Sequence, residues 1–159
     1  MFFKGYVQTK DKKCIEKFKG RTSFKNYKEV KDFPEFAGIL ATDTILIDID
    51  DSEQSDILFN IVQEKQLCCR VYKTTRGKHF LFNNPDLVGS NRTKVTLAVG
   101  ITADIKIGKR NAYSVLKFDG KERPILYDTT GKKEQAGDLP KWLIPIKTKA
   151  DFIGMEAGD

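Results

Sequence analysis

The stretch ILIDIDD, residues 45–51, joins the apolar, β-branched chemistry of a buried strand to three aspartates within four positions. An ionised carboxylate taken out of water is costly unless a cation or hydrogen-bond donors meet it. Side chains alternate along a strand, so Ile47 and Ile49 point into a core while Asp48 and Asp50 share the other face, about 6–7 Å apart. Asp51 has the opposite parity and lies beside Ser52, where it suits the start of a helix. Either the acids simply solvate the end of the strand, or a positive partner meets Asp48 and Asp50.

The bulk composition narrows the partner. The chain has 159 residues with 40% hydrophobic content, enough for one domain with one core. Its net charge of +6, from 28 Lys and Arg against 22 Asp and Glu, suits a polyanion such as nucleic acid, although a basic surface can also serve solubility alone. The N-terminal MFFKGYVQTKDKK has no apolar run of signal-peptide length, and TLAVGI is too short to span a bilayer, so no membrane is expected. Cys14, Cys68 and Cys69 make no C-x-x-C pair and the chain has a single histidine, so no zinc is expected. A soluble, reduced, cytoplasmic protein is the expectation.

Working outward from ILIDIDD, the pattern is α+β and strand-rich, with a mixed or antiparallel sheet. Residues 2–8 read as a strand, and SFKNYKEV as a helical turn. FAGIL and TILIDID are apolar runs separated by ATD, which suits two neighbouring strands. SEQSDILFNIVQEKQ is the clearest helix, with Ser52 as N-cap and Ile57, Leu58, Ile61 and Val62 at helical spacing. LCCRVYKT and KHFLFN form a hairpin around TRG, and NNPDLVGSNRT is a loop. KVTLAVG, ADIKIG, AYSVLKF and the start of ILYDTTGKKEQAGD are further strands. LPKWLIPI packs Trp142 back on the body.

Three segments could carry chemistry. Asp48 and Asp50 could flank hard divalent cations, which prefer oxygen ligands. Thr75-Arg76-Gly77-Lys78-His79 sets a tight turn among cations, offering N–H groups and charge to an anion such as a phosphate; it could equally be an exposed basic hairpin. Asp104 and Lys106 share one strand face in ADIKIGKR. They supply either a third carboxylate and a phosphate contact or a solvated cross-strand ion pair.

The order of these segments resembles the archaeo-eukaryotic primase superfamily, specifically the primase–polymerase domains of phages, plasmids and other mobile elements. Its first motif, Asp-x-Asp on a strand, is matched by Asp48 and Asp50. Its second, a Gly-containing turn leading to His, is matched by Thr75 to His79. Its third, an acid followed by a basic residue and Gly, is matched by Asp104, Lys106 and Gly108. The resemblance runs from about Phe36 to Val115. The common Ser-Gly-Gly turn is here Thr-Arg-Gly, and the Cys/His-rich zinc insertion of some members is missing.

The resemblance implies an RRM-like mixed or antiparallel sheet core with flanking helices, in a single catalytic domain over residues 1–150. Residues 151–159 would begin a linker to a helical accessory segment and a helicase. It further implies a template-dependent nucleotidyltransferase, a DNA primase or DNA polymerase of mobile-element replication, acting in a bacterial host's cytoplasm. Asp48, Asp50 and Asp104 would be the catalytic acids and hold two Mg²⁺ or Mn²⁺ ions. Thr75, Arg76, Gly77, Lys78, His79 and Lys106 would bind the NTP or dNTP. Single-stranded DNA template and primer would track the remaining basic surface. Two other readings stay open: a non-catalytic DNA-binding replication module, and a metal-dependent nuclease using the same acids.

Overall fold

A computed structural model describes residues 2–85, 88–130 and 136–146; the expected linker at 151–159 lies outside the described residues. The chain begins with β1 (Phe3–Lys10), a short β2 (Lys13–Cys14) and one helical turn, α1 (Tyr27–Val30). Asn26 and Glu29 close that turn as a reciprocal capping box. Then come β3 (Phe36–Leu40), β4 (Thr44–Ile49), the principal helix α2 (Ser52–Glu64), β5 (Arg70–Lys73) and β6 (Lys78–Asn83). The later strands are β7 (Arg92–Thr96), β8 (Thr102–Ile107), β9 (Tyr113–Phe118), β10 (Lys121–Glu122) and β11 (Ile125–Asp128).

These strands make two sheets, not one. The first has the order β10-β9-β3-β1-β2 and the second β11-β5-β6-β4-β8-β7. Every pairing is antiparallel. FAGIL and TILIDID, expected as neighbouring strands, are β3 and β4 and lie in different sheets. The turn between them, closed by Thr44 N–H donating to the Ala41 carbonyl at 2.9 Å, carries the chain from one sheet to the other. FAGIL is buried throughout, and TILIDI is buried but for Asp48, which suits strands covered on each side.

Strand β4 divides the core. Ile45, Ile47 and Ile49 are fully buried on the face that packs Leu58 and Val62 of α2, together with Phe80, Phe82, Ile105 and Ile107. Leu46, of the opposite parity, meets Phe36, Leu40, Leu81 and Leu116 in the layer between the sheets. Each such aliphatic side chain contributes about 1.5–3 kcal/mol by leaving water. Trp142 packs on the α2-side core as expected.

Helix α2 is capped by Asp51, whose carboxylate accepts the Gln54 N–H at 2.8 Å, while Ser52 is the first helical residue and not the cap. Its buried stripe is Ser55, Leu58 and Val62, and Ile57 is left exposed because it lies about 100° around the helix from Leu58. The expected hairpin is present as β5 and β6, with Lys73 opposite Lys78. Among the described residues no helix is long and apolar enough to cross a membrane.

Candidate active site between the sheets

Register builds the site. Tyr72 on β5 lies opposite His79 on β6, His79 opposite Asp48 on β4, and Asp48 opposite Asp104 on β8. Residues paired in this way project from the same face. One row across the second sheet therefore reads Tyr72–His79–Asp48–Asp104. The next row on that face is Arg70–Leu81–Leu46–Lys106. Both rows face the layer between the sheets.

Two acids directly opposite each other on neighbouring strands repel. Nearby donors and cations relieve this pair. His79 Nε2 lies 3.4 Å from Asp48 Oδ1, and the Asp48 side chain is only 25% exposed. Burial pushes the Asp48 carboxyl up, but the hydrogen bond and charge of His79, with the charges of Lys106 and Arg123, outweigh it. The net result is a value below the ordinary carboxylate range. Asp104 accepts the Lys94 backbone N–H at 2.8 Å. Lys94 has φ +49° where the β7–β8 register shifts, so a bulge turns that N–H toward the acid.

His79 is itself nearly buried, and burial lowers its pKa below the ordinary value against the opposing pull of Asp48. Its second ring nitrogen, Nδ1, is met from the other sheet. Ser114 Oγ on β9 lies 3.3 Å away, and Arg123 Nη1, between β10 and β11, lies 3.5 Å away. Burial also lowers the Arg123 pKa, with Asp48 acting the other way. Among the described residues, neither Arg123 nor Lys106 has a carboxylate within ion-pair distance. Lys106 Nζ sits 5.6 Å from the centre of the Tyr113 ring and 3.4 Å from the Tyr113 carbonyl. A pocket of about 360 Å³ opens there, lined by Arg92, Asp104, Lys106, Asn111 and Tyr113 among others.

The remaining expected residues lie elsewhere. Strand β4 ends at Ile49, so Asp50 leaves the row; its carboxylate pairs with Arg76 at 2.6 Å, and both side chains are well exposed. Thr75 is exposed on the same turn. Gly77 is required by close approach, since a Cβ there would overlap the Ile49 carbonyl oxygen. Its N–H is taken by Thr74 Oγ1 at 3.1 Å. Lys78 precedes His79 in the strand and so points the opposite way. There it binds Asp56 Oδ1 and Ser55 Oγ on α2. These residues border a second cleft of about 680 Å³ between the turn and the first turns of α2. Gly108 also has a packing reason, because a Cβ there would overlap the Ala41 carbonyl oxygen.

Among the described residues, no three of His, Cys, Asp and Glu gather as a ready metal cage. Asp48 and Asp104 adjoin, while Asp50 is held by Arg76. The donor set is carboxylate oxygen, which fits a hard divalent ion. Ser114, His79 and Asp48 follow the order of a hydrolytic triad. Ser114, however, is 2% exposed and lines neither cleft, which leaves an acyl substrate no approach.

Ser114, Arg123 and Lys94 did not emerge from the sequence. Ser114 alone left a trace, as a small polar residue inside the apolar run AYSVL. Comparison with protein-family models, with curated proteins and with solved structures gave no match.

Proposed function

We propose that this chain is the catalytic domain of a DNA-directed primase or polymerase. It would be a template-dependent nucleotidyltransferase of the archaeo-eukaryotic primase type, with an RRM-like second sheet. The observation that carries the reading is the row His79–Asp48–Asp104, in which three separate sequence motifs meet on adjacent strands and one face. A binding-only surface has no use for two facing carboxylates, whereas a metal-dependent nuclease could use the same acids and is separated from this reading by the assay below.

Asp48 and Asp104 would hold the divalent metal, and Asp50 would join them on leaving Arg76. Mg²⁺ or Mn²⁺ bound there would activate the attacking hydroxyl and neutralise charge on the triphosphate. The chain's own part is positioning and electrostatics. Asp48 is ionised at neutral pH, its pKa held below the ordinary carboxylate range by His79, Lys106 and Arg123 against its burial. Lys106 offers a charge to phosphate oxygens in the pocket beside Asp104, while His79, 8% exposed and outside that lining, would offer its N–H only once Asp48 gives way. Lys78 faces α2, so its part is to fix the turn and not to touch the nucleotide. Template and primer DNA, and a helicase region, are the partners this reading implies.

The test is incubation with single-stranded template, labelled nucleotides and Mn²⁺, with and without primer. Templated synthesis is expected from the wild type. Asp48→Asn and Asp104→Asn should each lose at least ~100-fold while keeping their unfolding midpoints, since ligand removal exceeds the cost of losing an outer-shell partner. Degradation of the DNA would establish a nuclease instead. Retention of DNA with neither synthesis nor degradation would establish a binding module.

A further inference from the structure

We propose that Ser114 and Arg123 are positioning residues for His79: from outside its sheet, they fix the imidazole as the Nε2–H tautomer and so aim its single proton at Asp48. The inference rests on the nucleotidyl-transfer reading only for what that proton then does.

The assignment follows from donor chemistry. A guanidinium has five N–H donors and no acceptor, so the ring nitrogen that Arg123 Nη1 approaches at 3.5 Å must present a lone pair. That nitrogen is Nδ1. The Ser114 hydroxyl, 3.3 Å from the same atom, therefore donates as well, and the two share one lone pair. The ring's remaining hydrogen sits on Nε2, which faces Asp48 Oδ1 at 3.4 Å, an oxygen that accepts. Arg123 and Asp48 select the same tautomer, and the Ser114 hydroxyl, which can donate or accept, donates within it. Ser114, the second residue of β9, is 2% exposed, so its hydroxyl does not swing away to water. Arg123 is anchored by its own backbone N–H, which donates to the Leu116 carbonyl at 2.7 Å.

In the ligand-free site the Nε2–H is given to Asp48. Were Asp48 to hold a metal, the same N–H would be free for a phosphate oxygen without a ring flip. His79 then acts as a neutral, pre-aimed donor. Lys106 supplies the positive charge. Removing these two donors from outside the His79 sheet would leave Asp48 alone to select the tautomer, so the Nδ1–H form would become populated, at a cost to nucleotide binding and not to the chemistry on bound nucleotide.

His79 is the only histidine of the 159 residues, which makes the test unambiguous. Long-range proton–nitrogen correlation on ¹⁵N-labelled protein at neutral pH reads the tautomer directly. The wild type should show a pyrrole-like Nε2 and a pyridine-like Nδ1. In the Ser114→Ala/Arg123→Met double variant the two nitrogens should move toward averaged values, and Ser114→Thr should keep the wild-type pattern. A wild-type ring protonated on Nδ1 overturns the proposal without recourse to any variant. A pure Nε2–H pattern in the folded double variant, checked by its backbone spectrum, overturns it too. In primer extension the double variant should raise KM for nucleotide about tenfold or more with kcat within about threefold, since the lost donor geometry acts on binding. If the wild type synthesises nothing, the functional reading fails while the nitrogen spectrum still decides the positioning. Normal synthesis with the reversed tautomer would sink the positioning alone.

Discussion

Replacing Gly77 by alanine adds one methyl at the joint that supports the site. That Cβ would overlap the Ile49 carbonyl oxygen and lie 2.9 Å from its carbon and 3.3 Å from Asp50 Cα. All three are backbone atoms. Ile49 is fully buried and paired with Lys78, so the obstacle cannot rotate aside as a side chain would. The turn or the end of β4 must shift, and forced overpacking of this kind costs about 1–3 kcal/mol. For a domain of this size that is a fall in Tm of about 2–12 °C, at roughly 2–4 °C per kcal/mol. Gly89 is the control, because a Cβ there meets nothing within 4 Å. Thermal unfolding of the two alanine variants beside the wild type measures the difference. Nucleotide incorporation should fall with it, because Asp48 and His79 flank the joint and a misplacement near 1 Å can cost about 100-fold. If Gly77→Ala is as stable as Gly89→Ala, the close packing of the turn on β4 is wrong.

Acidification should destabilise the protein in a way that depends on His79. Its folded pKa lies below the ordinary 6.5, so the unfolded chain takes up the proton first. Stability is complete above that value and declines as pH falls toward the folded one. Asp48 adds a further decline at lower pH, since its folded value is also lowered and its contribution is lost as pH falls through it. Urea midpoints between about pH 7.5 and 5 should therefore drop in the wild type and stay flatter in His79→Gln; parallel curves would refute this. Arg76→Ala removes an ion pair whose side chains are 74% and 57% exposed, and urea unfolding should show a loss of less than about 1 kcal/mol. The same variant frees Asp50, so Mn²⁺ affinity by electron paramagnetic resonance should rise by up to about fivefold. A fall in affinity would show that Arg76 assists the metal.

What could be read from the sequence is what strand parity governs. ILIDI gave one core-facing set and one site-facing acid, because alternation is a local property of extended backbone. Parity failed at Asp50, where the strand gives way to the Asp51 cap and the same-face rule stops applying. Lys78 and His79 were grouped by adjacency, though adjacent strand residues face opposite ways. The division into two sheets was hidden because FAGIL and TILID have the same apolar character, and nothing local says which partner each will take. Ser114 and Arg123 reach His79 only through the docking of strands far apart in sequence, which no local pattern encodes.

The chain's path between the sheets has a consequence for how the protein comes into being. It lays down β1 to β3 in one sheet and β4 to β8 in the other, then returns with β9 and β10 to the first and ends with β11 in the second. Neither sheet can be finished while the other is still unmade, so the domain has no half that is a stable stopping point. Pairing β3 with β9 closes a long loop before it gains any contact, which slows folding. On the ribosome, Asp48 and His79 emerge well before the serine and arginine that orient the ring, and Asp104 only shortly before them. A nascent chain would thus carry the site's reactive groups unassembled, and competence would arrive in one late, cooperative step.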